Sequence, residues 1–222
     1  MKLASKSRQY LIVIEVIALA IILSACGKPS QQYATDKADG VYFTVPLGWT
    51  KISTLAINSV EAKSTSAGAA DRLAAVHWQV AYTLDKSLKA EQVLSLNTPE
   101  KPVVYVRVRS LLPDEINSVS YNSLRNLVVP ITTWASGTDP TAPALTIHDD
   151  FEVVEKGGRG IYTQFTFKAS DGVDQRIDQA ALMSNDHSMM YIMIARCSAT
   201  CFTKYKKEIA KIVQSFTVRG PK

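Results

Sequence analysis

Residues 40–52 read GVYFTVPLGWTKI. Val41, Phe43 and Val45 alternate with Tyr42 and Thr44, the period of two expected of a strand that buries one face. Pro46 and Gly48 punctuate the run, and residues 49–52 resume the extended pattern. The stretch therefore predicts two short strands joined by a turn, with Trp49 as the core anchor of the hairpin. A chain that opens this way commits early to a sheet, and its later segments decide which elements cover that sheet.

Residues 58–71 are small and polar and read as a loop, residues 73–84 as a strand, and residues 86–96 as a helical turn or loop. VVYVRVRS at 103–110 is the clearest strand: Val104, Val106 and Val108 share one face, and Tyr105, Arg107 and Arg109 the other. Pro113, Asp114 and Glu115 suit a helix start, with helical spacing running through Ile116, Val119 and Leu127 until Pro130 stops it. A loop over 132–143 is expected next. Strands at 145–154, 161–168, 175–183 and 189–196 then alternate with turns at Lys156-Gly157-Gly158, Ser170-Asp171-Gly172 and Asn185-Asp186, a four-stranded meander. Phe202, Tyr205, Ile209, Ile212, Val213 and Phe216 fall on one face of a final amphipathic helix whose other face carries Lys204, Lys206, Lys207 and Lys211. The sum is an α+β class: one domain over 40–220, a mostly antiparallel sheet with helices packed on it.

Upstream, the composition changes. Lys2, Lys6 and Arg8 precede an apolar run from Leu11 to Ala25 that Glu15 interrupts. That run is shorter than the ~20 residues of a membrane-crossing helix and has the length of a signal h-region. It ends in Leu23-Ser24-Ala25-Cys26, which resembles the lipobox of bacterial lipoprotein precursors. The resemblance implies a signal peptide at 1–25, a diacylglycerol on the Cys26 thiol, cleavage before Cys26 and acylation of the new amino terminus. Residues 26–39 then read as the lipidated cysteine and a flexible tether. Without the leader the formal charge falls from +5 to +3, spread along the chain, which is no footprint of a nucleic-acid partner.

Two ends of the domain also carry a family resemblance. DGVYFTVPLGWTKI at 39–52 is similar to the opening of PsbP/Mog1-like α/β sandwich proteins, and KKEIAKIVQSFTV at 206–218 to their closing helix. The resemblance implies an accessory or binding domain, often exported and lipid-anchored, and brings no catalytic motif.

Residue chemistry gives few rivals. Cys197 and Cys201 are four apart. Extended, their Cα atoms would sit about 13 Å apart, too far for a bridge, whereas a turn between strand and helix brings them within the ~7 Å limit. A disulfide staple, two free thiols, and a redox pair or metal site all remain open. His77 lies in an apolar strand and reads as a core residue. His148-Asp149-Asp150 offers metal-ligand types, Asp186-His187 offers half a triad, and neither spacing is specific. KGGRG at 156–160 lacks the P-loop pattern and no helix follows it. No cofactor or metal is expected. Met183, Met189, Met190 and Met193 read as core. Trp134, at a helix end, and Tyr105, on the second face of its strand, are the candidate binding residues.

The sequence thus describes a lipid-anchored, non-catalytic domain outside the cytoplasm, held to the membrane by its lipid, with a protein partner or a small apolar ligand. A closed, side-chain-filled sandwich would exclude the carrier of an apolar ligand. Cys26→Ala is expected to leave an unprocessed precursor that takes up no labelled acyl chain, checked by gel mobility and metabolic labelling.

Overall fold

The computed structural model describes residues 30–221, so the leader and Cys26 lie outside the described residues. Among the described residues ten strands form two sheets. The larger has seven strands in the order β3(Thr50–Ile52), β4(Val76–Thr83), β5(Val103–Ser110), β9(Met189–Ser198), β8(Asp174–Ser184), β7(Gly158–Lys168) and β6(Leu145–Glu155). Every neighbouring pair is antiparallel. The smaller sheet places β2(Val41–Pro46) between β1(Gln31–Asp36) and β10(Thr217–Val218). The expected α+β class is what the chain adopts.

Val104, Val106 and Val108 face a continuous core built with Phe43 of β2, Tyr191 and Met193 of β9, and Phe202, Ile209 and Ile212 of α6(Ala199–Gln214). The smaller sheet and α6 pack on this first face of the large sheet. Phe43 meets Tyr82 edge to face at 5.8 Å between ring centres. α6 starts where Ser198 caps it: the Cys201 amide donates to Ser198 Oγ at 3.1 Å. Within that turn Cys197 and Cys201 are bridged, their Cα atoms 6.0 Å apart, and both are buried.

The second face is covered piecemeal by short helices: α1(Thr54–Glu61), α2(Ala69–Ala74), α3(Ala90–Leu94), α4(Tyr121–Arg125) and α5(Ile131–Ala135). They bury three small apolar clusters, around Ile57 and Val93, around Leu124 and Met190, and around Ile131 and Phe165. Ile194 of β9 packs against all three.

Several expectations change. The tether over 26–39 is cut short by β1, which pairs with β2 from Gln31↔Pro46 to Asp36↔Val41. Only Ala34 of β1 is buried while Tyr33 stays exposed, so the strand lacks an apolar stripe and is held by backbone pairing. β2 and β3 are not a hairpin: the Pro46–Trp49 corner carries the chain from one sheet to the other. Trp49 is nevertheless buried, and its Nε1 donates to Glu208 Oε2 at 3.3 Å. The expected loop over 58–71 holds the end of α1, capped by Ser53, and the start of α2. The single helix expected over 113–130 is a set of turns followed by α4, because Ser118 and Ser120 compete for backbone groups: Ser118 Oγ donates to Asp114 O, and Ser120 caps the new helix. The loop expected over 132–143 holds most of α5, where Asn126 Oδ1 accepts from the Thr132 amide.

The C-terminal segment locks the two sheets' turns together. The Gly157 amide donates to Val218 O at 2.9 Å, and the Arg219 amide to Gly40 O at 2.8 Å. A Cβ on Gly157 would lie 2.1 Å from Gly220 N. Gly157→Ala is expected to cost about 1–3 kcal/mol by overpacking, read as a lower denaturant midpoint with an unchanged m-value.

Candidate functional site

Because the second face is covered in pieces, it is not closed. Between α1–α3 on one side and α4 on the other, a trough of about 490 Å³ runs over β5 and β9. Tyr105, Arg107 and Arg109 of β5 and Ile192 and Ile194 of β9 form its floor, and Leu73, Leu94 and Leu127 its apolar walls. A second hollow of about 290 Å³ continues it and shares Leu94, Tyr105, Leu127 and Ile194. Tyr105, expected from its strand face, thus lines both hollows. Trp134 lines neither: half-buried on α5, its ring packs 5.6 Å from Phe167 against the cluster of that helix.

The floor is polar where the strand alternation places arginines. Arg107 Nη1 donates to Glu61 Oε1 at 2.5 Å, tying α1 to the sheet. Arg109 makes a bidentate pair with Glu115 at 2.6 and 2.7 Å, which holds the Glu115 carboxyl below its ordinary range. The fully buried Gln79 accepts from Tyr105 Oη at 2.5 Å and donates to Asn58 and Glu61. Burial pushes the Tyr105 phenol up to about 12, so it remains a neutral hydrogen-bonding group. At the rim, the Arg72 guanidinium donates to Ala67 O and Ser66 Oγ, and among the described residues no carboxylate pairs with it. At the far end Arg196, 5 % exposed, donates to the carbonyls of Asn97, Gln92 and Val93, and burial lowers it to about 10.

On the opposite face a groove of about 470 Å³ lies between α6 and the β6–β7 hairpin. Its floor holds Asp178, 2 % exposed, whose Oδ1 accepts from Gln164 Nε2 at 2.6 Å. Burial lifts the Asp178 carboxyl to about 6, against hydrogen bonds from Gln164 and Tyr162 and the Arg176 charge.

A third constellation was not visible in sequence. His77 Nδ1 lies 3.0 Å from Asp39 Oδ2 and His77 Nε2 lies 2.8 Å from Ser110 Oγ, the order of nucleophile, base and orienting carboxylate. The β-bulge between Val76 and Trp78 turns His77 out to the sheet end, half-exposed, and not into the core expected for it. A hydrolase also needs amides that can receive an oxyanion. Here the Ser110 amide donates to Ala75 O, the Leu111 amide to Ser188 O and the Leu112 amide to Glu115 Oε2. All three are engaged, and the relay ties the Asp39 turn to the ends of β4 and β5.

The remaining histidines do not converge on anything. His148 is exposed and meets Thr166; Asp150 pairs with Arg125, and Asp149 faces the α6 groove. His187 sits at a turn with φ 58°, while Asp186 accepts from Ser184 and Ser188. Among the described residues no group of three His, Cys, Asp or Glu side chains could hold a metal ion, and no helix is long and apolar enough to cross a membrane. Met189, Met190 and Met193 are core residues.

No protein-family model and no curated protein matches the chain. Solved structures do. The chain is similar to the cyanobacterial PsbP (CyanoP) of Synechocystis sp. PCC 6803, with 13% identity over 87% of this chain and 95% of that one and a TM-score of 0.48. It is similar to LpqN, involved in cell envelope biogenesis of Mycobacterium tuberculosis, with 11% identity, coverage of 86% and 91%, and a TM-score of 0.46. It is also similar to the Ran-binding protein Mog1p of Saccharomyces cerevisiae, with 10% identity, coverage of 86% and 96%, and a TM-score of 0.43. These likenesses are of fold.

A carboxyl raised by burial favours the folded state while it is protonated. The Asp178 contribution is therefore present below its unfolded value near 3.8 and is lost as pH rises through about 6. Asp178→Asn is expected to flatten the fall in unfolding free energy across that window by up to about 3 kcal/mol, measured by urea titration at several pH values.

Proposed function

We propose that the chain is an exported lipoprotein, tethered through acylated Cys26 outside the cytoplasm, whose folded domain is a non-catalytic carrier of an amphiphile. The lipobox resemblance supports the tether. The ligand reading rests on one observation: the helices of the second face leave a trough with apolar walls and a surplus of positive charge at its mouth.

Arg107 and Arg109 on the floor are answered by Glu61 and Glu115, and Arg72 stands at the mouth. The surplus guanidinium is Arg72, which suits an anionic head, while Leu73, Leu94, Leu127, Ile192 and Ile194 suit an alkyl chain. The volume lies within the ~300–1,000 Å³ span of ligand sites. The sheet face is covered yet not filled, the condition under which a carrier remains viable.

The test is photolabelling of the full chain in its own membrane with a 12-carbon fatty acid carrying a diazirine. Labelled peptides are expected from the walls at Leu73, Leu94 and Leu127. Arg72→Gln, which removes one charge-assisted contact from an exposed side chain, is expected to weaken competition by unlabelled dodecanoate about tenfold. Labelling elsewhere, or equal competition by dodecylamine, would sink the proposal.

A further inference from the structure

The groove on the first face has a different chemistry from the trough. Strand register sets its floor in rows. Asp149, Gln164 and Asp178 lie side by side across β6, β7 and β8. Phe151, Tyr162 and Ala180 form the next row, then Val153, Gly160 and Leu182. Gly160 contributes no side chain, which leaves that part of the floor low. Phe202, Val213 and Phe216, in or just beyond α6, close the other side. The groove therefore runs from a carboxylate row, over an aromatic pair with ring centres 4.8 Å apart, to an aliphatic row.

The charges facing Asp178 come from every element around it. Asp149 and Glu155 stand on β6, the Tyr162 hydroxyl on β7, Arg176 on β8 and Lys206 on α6. Arg176 stands beside the carboxylate row without pairing with a carboxylate: its guanidinium lies over the Phe202 ring at 4.9 Å and donates to Gln164 Oε1. Glu155 lies at the far end of the groove, paired with Gly158, so at the head row two carboxylates, Asp149 and Asp178, face Arg176 and Lys206, and among the described residues neither carboxylate is in an ion pair. A buried carboxylate at the end of an apolar channel gains most from a ligand that brings a cation and covers it with hydrocarbon.

We propose that the groove between α6 and the β6–β7 hairpin binds a single-chain primary alkylammonium, its head on the Asp149–Gln164–Asp178 row and its chain over Phe151, Tyr162, Ala180 and Leu182. The site stands on the opposite sheet face from the trough and does not depend on the trough being occupied. An anionic head would meet the Asp149 and Asp178 carboxylates here, so the two faces select opposite charges. Deep in the groove Asp178 takes up a proton near pH 6, so the ammonium is held at pH 7 and released toward pH 5.

The test is photolabelling of the full chain in its membrane with a diazirine-bearing decylamine, competed by decylammonium, decanol and decanoate. Peptides containing Val153 and residues 202–216 are expected to carry the label, with decylammonium competing about tenfold better than decanol. Asp178→Asn, close in shape, and Asp149→Asn, at the exposed rim, are each expected to reduce the label several-fold while leaving fatty-acid labelling of the trough unchanged. Loss of the label between pH 7 and pH 5 in the parent, and no such loss in Asp178→Asn, completes the pattern. Equal competition by decanoate, label outside the groove, or a cross-link between two copies of the chain through this groove would overturn it. Failure of the trough experiment leaves these readouts untouched, so the two ideas fall separately.

Discussion

The domain depends on the pairing of β9 with β5. From Val103↔Arg196 to Ser110↔Met189 this ladder joins a strand from the first half of the chain to the last strand of the meander, and it is the seam between the two halves of the large sheet. β9 is buried along almost its whole length, with Ile194 and Ser198 the exceptions. A central strand buried on both sides requires a covering layer on each face. α6 and the smaller sheet supply one as a continuous core. The short helices supply the other only in part. Ile194 marks the gap: it is the β9 side chain that three clusters reach and none encloses.

Helices of five to eight residues have little stability of their own, so the second layer has to be pinned from the sheet. Arginines do much of that work. Arg107 reaches Glu61 on α1, Arg109 reaches Glu115 in the turns before α4, and Arg125 of α4 reaches Asp150 on β6. Each pair is partly buried, so removing one partner would strand a charge at some cost. Two of these guanidinia, Arg107 and Arg109, also line the floor of the trough.

Legibility in the sequence tracks the strength of local pattern. The meander, the strand at 103–110 and the amphipathic last helix announce themselves by period and turn residues, and they form as expected. β1 does not: one buried alanine among polar neighbours carries no periodicity, and only pairing with β2 makes it a strand. The helices α1, α2 and α5 lie where loops are expected for a related reason, since they are short and are set by caps and tertiary contacts more than by an apolar stripe. Tyr105 was found because alternation put it opposite the valines. Arg72, Glu61 and Asp178 were not, because each matters through a neighbour distant in sequence. The relay of Asp39, His77 and Ser110 spans three separate segments and has no spacing to read.

β2 is flanked by strands from the two ends of the domain: β1 begins at residue 31 and β10 ends at residue 218. Backbone bonds then clip the segment beyond β10 to the turns at Gly40 and Gly157. A chain delivered amino terminus first, whether from a ribosome or through a membrane pore, presents β2 among its first strands but cannot flank it with β10 until residues 217–218 emerge. The first face would therefore be the last to be sealed. Until that moment Phe43 and the other apolar side chains of β2 lack the strand that completes their sheet. The interval between translation or passage and the arrival of β10 is when this domain is most open to aggregation and most dependent on a holding chaperone.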